Sequence, residues 1–111
     1  NQEVKDMKIV GVAACTAGIA HTYISKEKIE NAAKKKGHIV HIETQGTIGI
    51  EDELSESEIK EADFVIIMAD VSIRGKERFE GKKTVEISTD VAIQSPTKLI
   101  ELLEEKLRGG K

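Results

Sequence analysis

Cys15 is the chain's one cysteine, and it stands where an apolar run gives way to a helical pattern. The run Met7-Lys-Ile-Val-Gly-Val-Ala-Ala14 ends, the thiol follows, and Thr16, Ala17, Gly18, Ile19 and Ala20 lead on to His21 and Thr22. A thiol just before a helix meets unpaired backbone N–H groups and the positive end of the helix dipole. Both favour a thiolate and a bound anion such as phosphate. Consecutive N–H donors from Thr16 to Ala20, with Gly18 allowing tight curvature, suit an anion cradle, and Thr16 or Thr22 could add a hydroxyl. A lone cysteine is otherwise a small buried hydrophobe, so its place in the fold decides between packing and chemistry.

Three chemistries could use such a thiol. A cysteine phosphatase wants an arginine six residues after the nucleophile to hold phosphate bidentately. That position is His21, and Arg74 and Arg78 are distant in sequence. Thiol redox chemistry wants a second cysteine to resolve the first, and there is none. Phosphoryl carriage remains: the thiolate takes the group, loop amides hold it, and a second acceptor removes it. Lacking a strong water activator is then an advantage, because hydrolysis would waste the phosphoryl group. His21 falls in the first turn of the following helix, where it either contributes charge and hydrogen bonds to the loop or packs locally. Asp63 and Asp70 flank a later strand and raise a phospho-aspartate alternative, disfavoured because no acidic pair closes the first strand. Gly11 and Gly18 fit neither GxGxxG nor GxxxxGK. The three histidines lack metal-ligand spacing, so no metal and no cofactor is expected.

The elements that must position Cys15 follow from pattern. Residues 7–14 read as a strand, 18–36 as a helix stopped by Gly37, and 38–44 as a second strand. Within the helix, Ile29, Ala32 and Ala33 keep apolar spacing, as do Ala20, Tyr23 and Ile24; its lysines read as a solvated face. His38 and His41 are expected at the surface. Residues 45–49 read as a loop. Ser55 and Glu58 form a capping box with Leu54 and Ile59 as its staple, opening a short helix over 55–62. A third strand covers 64–69, a loop with one helical turn near Glu77 covers 70–82, and a fourth strand covers 83–88. Ser95-Pro96 opens a last helix, with Leu99, Ile100, Leu103 and Leu107 on one face, ended by Gly109 and Gly110.

Strands alternating with helices predict an α/β fold: a three-layer α/β/α domain with a four-stranded parallel sheet. The first and third strands are continuously apolar and belong in the centre, while the second and fourth alternate. The order is therefore 2-1-3-4, with the first helix on the face opposite the later helices. Winding reverses between strands 1 and 3, and ligands of open α/β sheets bind at that switch point, beyond the strands' carboxyl ends. Cys15 lies just beyond strand 1.

The 111 residues suffice for one domain, read as 7–108 between a polar linker over 1–6 and a tail over 109–111. With 39% hydrophobic and 33% charged residues the chain is globular rather than disordered. A net charge of −3 and 3% aromatics argue against nucleic-acid binding. No apolar run reaches membrane-span length, no signal peptide opens the chain, and a single cysteine fits a reducing compartment.

Cys15-Thr-Ala-Gly-Ile-Ala-His-Thr22, then Glu43-Thr-Gln-Gly-Thr-Ile-Gly-Ile-Glu51, then Ala62-Asp63, Ala69-Asp70 and Arg78-Phe79-x-Gly81-Lys82 together resemble one family. It is the fructose-specific IIB domain of the bacterial phosphoenolpyruvate-dependent sugar phosphotransferase system, and the likeness covers about residues 7–107. The resemblance implies a four-stranded parallel α/β/α domain. It implies that Cys15 accepts phosphoryl from a phosphohistidine on a IIA domain and passes it to a sugar carried by the membrane IIC domain. It also implies a cytoplasmic location against the membrane through IIC. Thr16 to Ala20 become the phosphate loop, with His21 and Thr22 beside it, and Gln45 and Gly46 lie in a loop closing over the same sheet end. Two departures stand out: Cys15-Thr16-Ala17-Gly18 replaces the family's C-P-T-G, and Ile73-Arg74-Gly75-Lys76 replaces its V-D-x-x. Losing the proline frees one N–H. These read as marks of a subfamily whose sugar need not be fructose. The other class compatible with the sequence is a non-catalytic regulatory or sensing domain of the same fold, and the third is a cysteine phosphatase.

Overall fold

The computed structural model describes residues 7–14, 19–46 and 49–109. The expected linker over 1–6 and residues 110 and 111 lie outside them. The elements run β1 (Lys8–Ala14), α1 (Ile19–Lys35), β2 (Ile39–Gly46), β3 (Gly49–Glu51), α2 (Glu56–Glu61), β4 (Phe64–Ala69), a 3-10 turn (Lys76–Phe79), β5 (Thr84–Ile87), α3 (Thr89–Gln94) and α4 (Pro96–Gly109).

The sheet order is β3-β2-β1-β4-β5. Its four parallel strands keep the order deduced from burial patterning, with β1 between β2 and β4. The expectation of a purely parallel four-stranded sheet is corrected by β3. This three-residue strand pairs antiparallel with the end of β2, Gly46 facing Gly49. The stretch expected to be a loop thus turns back as a hairpin, and Gln45 and Gly46 close β2 instead of lying beyond it. Three residues are too few to show an alternating pattern, which is why the sequence hides this strand.

Two clusters sandwich the sheet. Ile9, Ala13, Ile42, Phe64, Ile66 and Met68 pack with Ile29, Ala32 and Ala33 of α1, Ala92 of α3, and Leu99, Ile100 and Leu103 of α4. Val10, Val12, Val65 and Ile67 pack with Leu54, Ile59, Ala62 and Phe79 on the other face. Among the described residues, therefore, only α2 and the 3-10 turn oppose α1. The expectation that all later helices would do so fails for α4. Handedness constrains crossovers between parallel strands, and α4 follows the last strand, so its apolar stripe is free to cover the α1 face. Leu107, expected on that stripe, lies outside the described side chains. The six-residue α3 is absent from the sequence reading, although Ser88 caps it by accepting from the Val91 N–H.

Local signals elsewhere are met. Ser55 and Glu58 form the reciprocal capping box. Gly37 closes α1, with its N–H donating to the Lys34 carbonyl and the His38 N–H to the Ala33 carbonyl. Gly11, in the centre of β1, has a packing reason: a Cβ there would sit 2.5 Å from the Ile66 carbonyl oxygen. The inward face of α1 runs Thr22, Ser25, Ile29, Ala32 and Ala33, while Tyr23 and Ile24 are exposed. Tyr23 donates to Glu51, and Lys26 meets Asp52 at 2.7 Å, so the outer side of α1 holds the β3 hairpin instead of the core.

His38 corrects the expectation of a surface histidine. It is 4% exposed. Its Nδ1 accepts from the Met7 N–H at 3.0 Å and its Nε2 lies 2.6 Å from Glu104 of α4. An Nδ1 that accepts carries no proton, so Nε2 carries it and donates to the carboxylate. His41 is half-buried and meets Glu58 at 2.5 Å.

Candidate functional site at the carboxyl end of β1

The switch point lies where expected in the topology. At the carboxyl end of β1, Ala14 faces Gln45 of β2 on one side and Ala69 of β4 on the other. The Asp70 N–H donates to the Ala14 carbonyl at 3.1 Å. α1 begins at Ile19. Cys15, Thr16, Ala17 and Gly18 connect these points and lie outside the described residues. Ile19, Ala20 and His21 open α1, with side chains also outside the description, and Thr22 is buried behind them.

Around that end the structure assembles a polar network whose members are 30 or so residues apart in sequence. Glu43 of β2 has no solvent exposure. Its carboxylate accepts two bonds from the Arg78 guanidinium, at 2.9 and 3.1 Å, in the fork geometry specific to arginine. It also accepts from the Gln45 amide at 2.9 Å and from the Leu54 N–H at 3.0 Å. Burial pushes the Glu43 carboxyl up, but Arg78, Gln45 and the Leu54 N–H outweigh it and hold it below the usual carboxylate range.

Gln45 carries the network to the segment after β4. Its carbonyl accepts from the Arg74 N–H at 2.8 Å and its amide donates to the Arg74 carbonyl at 3.0 Å, the pairing a strand neighbour would make. Arg78 adds a bond from Nε to the Gly75 carbonyl at 2.7 Å. Gly75 has φ 73°, where a side chain is strained, and a Cβ there would lie 2.6 Å from the Arg78 Nε, so a side chain would push Arg78 out of its present position. Glu43 and Arg78 are members of this network that sequence reasoning misses. Both stand in the motif blocks of the resemblance, but nothing in their sequence separation says that they meet.

The remaining candidates separate. Asp63 accepts from the Lys8 N–H at 2.9 Å, at the amino end of the sheet, whereas Asp70 stands at the carboxyl end and accepts from Thr89 Oγ1 at 2.6 Å. They flank β4 at opposite ends and form no acidic pair. Among the described residues no group of three or more histidine, cysteine or acidic side chains is placed to hold a metal ion. Among them, too, no helix is long and apolar enough to cross a membrane.

An α/β/α domain with this strand order and these motif blocks in its sequence belongs to a definite class. Residues 10–102 match the family described as PTS system, Lactose/Cellobiose specific IIB subunit. The chain is 42% identical over 100 residues to a "PTS system fructose-like EIIB component 2" of Escherichia coli K12, covering 90% of this chain and 94% of that one. Its fold matches a domain of the fructose-specific IIABC component of Borrelia burgdorferi, with TM-score 0.82, 47% identity, and coverage of 91% and 96%. It also matches an Enzyme IIB subunit of the PTS system from E. coli K12, with TM-score 0.89, 34% identity, and coverage of 95% and 97%. The chain belongs to the IIB components of the sugar phosphotransferase system, on the branch whose relatives are named fructose-like or fructose-specific.

Proposed function

We propose that this chain is the phosphoryl carrier of a sugar-uptake system, with Cys15 as the carrier group. The observation behind the reading is the register of Ala14, which brings the chain to the switch point one residue before the thiol. The Cys15 thiolate attacks the phosphorus of a phosphohistidine on a IIA domain; the S–P bond forms as the N–P bond breaks. In the second step a hydroxyl of a sugar held by a membrane IIC domain attacks that phosphorus. The O–P bond forms, the hydroxyl proton leaves to the acceptor's side, and the thiolate departs. The backbone of Thr16 to Ala20 holds the phosphoryl oxygens, with His21 and Thr22 beside it. The names of the relatives favour fructose or a related sugar, and a relative built as a IIABC fusion favours donor and acceptor domains of the IIA and IIC type. The reading as a phosphatase loses support, because Arg78 already grips Glu43 in the fork that a phosphate would need.

The test is phosphorylation driven by phosphoenolpyruvate and the upstream phosphotransfer proteins. Labelled phosphoryl is expected on the wild type and absent from Cys15→Ala. Label that survives in Cys15→Ala rejects the reading. A second measurement follows the rate of thiol alkylation against pH. Loop amides and the helix dipole should hold the thiol below its ordinary value of about 8.5. A rate still climbing steeply through that value would contradict an anion cradle.

A further inference from the structure

The segment from Asp70 to Gly75 begins at the end of β4 and ends on β2, and β1 lies between these strands. At its start the Asp70 N–H holds Ala14 of β1; at its finish the Arg74 backbone pairs with the Gln45 side chain. The segment is therefore a strap across the carboxyl end of β1. Ile73 packs into the cluster on the α2 face, while Val71, Ser72 and Arg74 are exposed.

Four bonds and one buried charge pair fasten the far end. Gln45 cannot turn away without leaving Glu43 short of a donor, and Arg78 cannot leave without orphaning a carboxylate that has no exposure to water. Such a pair is costly to break from one side. Phe79 packs the 3-10 turn against Val10 and Val12 of β1 and Val65 and Ile67 of β4, a cluster that includes no residue of β2, so the tie from the turn to β2 is the polar one. The ionic pair adds directional control: the fork fixes the guanidinium, the guanidinium fixes the Gly75 and Arg74 carbonyls, and these fix the strap.

We propose that Glu43 and Arg78 are positioning residues for phosphoryl transfer, acting through Gln45 and through the Arg78 bonds to the Arg74 and Gly75 carbonyls to hold the Asp70–Gly75 strap across the end of β1 as part of the surface that the phosphohistidine-bearing donor must meet. The inference rests on the carrier function proposed above. In-line transfer demands that donor and acceptor groups be oriented around one atom, and a wall displaced beside that atom weakens docking before it alters the chemistry.

The experiment measures phosphorylation of the wild type, Gln45→Ala and Glu43→Gln at varied concentrations of the phosphorylated donor protein. Gln45→Ala removes two of the strap's four bonds and leaves those from Arg78, with the Glu43–Arg78 pair, in place, so it is the variant expected to stay folded. Its KM for the donor should rise about tenfold with kcat within about twofold of the wild type, the pattern of lost binding rather than lost chemistry. Glu43→Gln should show the larger rise, and Arg78→Lys should fail to restore wild-type KM, because an ammonium cannot make the fork. A purely structural role would lower the folded fraction, and with it apparent kcat, without moving KM. A labelled wild type with Gln45→Ala at wild-type KM overturns this inference alone. An unlabelled wild type overturns the carrier function and this inference with it.

Discussion

The two ends of β2 each bury a polar side chain, and they do so in opposite ways. At the amino end His38 is satisfied by one backbone N–H and one carboxylate, from Met7 and Glu104. At the carboxyl end Glu43 takes four bonds, two of them from a guanidinium. The histidine ties a terminal helix to the start of the first strand, a seam between elements that pack anyway. The carboxylate ties the second strand to a segment whose apolar anchors, Ile73 and Phe79, pack against other elements and not against β2. Where packing alone can hold a contact, a histidine hydrogen bond suffices. Where a loop must be held beside a site, the fold uses a paired charge, whose removal from one side is expensive.

The largest expected effect tests that contrast directly. Glu43→Ala takes the carboxylate acceptor from the Leu54 N–H and leaves the Arg78 guanidinium and the Gln45 amide with only the Arg74 and Gly75 carbonyls. One-sided loss of a buried pair costs about 3–5 kcal/mol, and the 23% exposure of Arg78 puts this case near about 3. Urea unfolding at neutral pH measures it. Replacing both members, Glu43→Leu with Arg78→Met, should recover much of that stability while phosphoryl transfer stays impaired. Full recovery of both would mean that the pair serves packing alone.

His38→Ala is the matched change at the other end. It orphans the buried Met7 N–H and opens a cavity, and should cost about 2 kcal/mol. Transfer per folded molecule should stay at the wild-type value. If His38→Ala costs more than Glu43→Ala, or slows transfer, the division of roles between the two ends is wrong.

Acid sharpens the comparison further. The folded protein holds Glu43 below its ordinary carboxylate range. A group whose proton affinity falls on folding stabilises the fold above its unfolded value, about 4.3 for glutamate, and loses that contribution as pH falls through the lower folded value. The stability gap between wild type and Glu43→Gln, followed by urea unfolding, should therefore be constant near neutrality and narrow below about pH 4.3. A gap that does not change with pH would separate Glu43 from the acid limb.

The sequence discloses what is local and conceals what is assembled. Ser55 with Glu58, Gly37 after α1 and Pro96 opening α4 each act within one turn of chain, and each is legible as residue chemistry. The central strands are legible because continuous apolar runs need cover on both faces. Two short elements escape: β3 shows no period, and α3 has one capping serine and too few turns for a stripe. His38 looks like a surface residue because its two partners lie 31 and 66 residues away. The Glu43–Arg78 pair is concealed for the same reason, since a resemblance marks both motif blocks without saying that the fold joins them. The strands that flank the end of β1 are legible too, since β2 and β4 stand on either side of Ala14 as the apolar patterning predicts.

The smallest expected effect lies between the two ends. Glu58 is shared: its Oε1 accepts from the Ser55 N–H at 2.9 Å and its Oε2 meets His41 of β2 at 2.5 Å, so the capping box of α2 is also moored to the middle of the strand. The Ser55 backbone N–H and His41 hold the Glu58 carboxyl below its usual range. Ser55→Ala removes the hydroxyl that accepts from the Glu58 N–H, 3.1 Å away, and leaves the backbone bond back from Ser55 to Glu58 intact. The loss should be about 1 kcal/mol, typical of an N-cap. Because α2 packs on the same face as the strap but makes none of its polar ties, KM for the donor should not move. A shift in KM with so small a loss of stability would extend the functional end of β2 inward to His41, and the contrast between a structural seam and a site anchor would become a gradient along one strand.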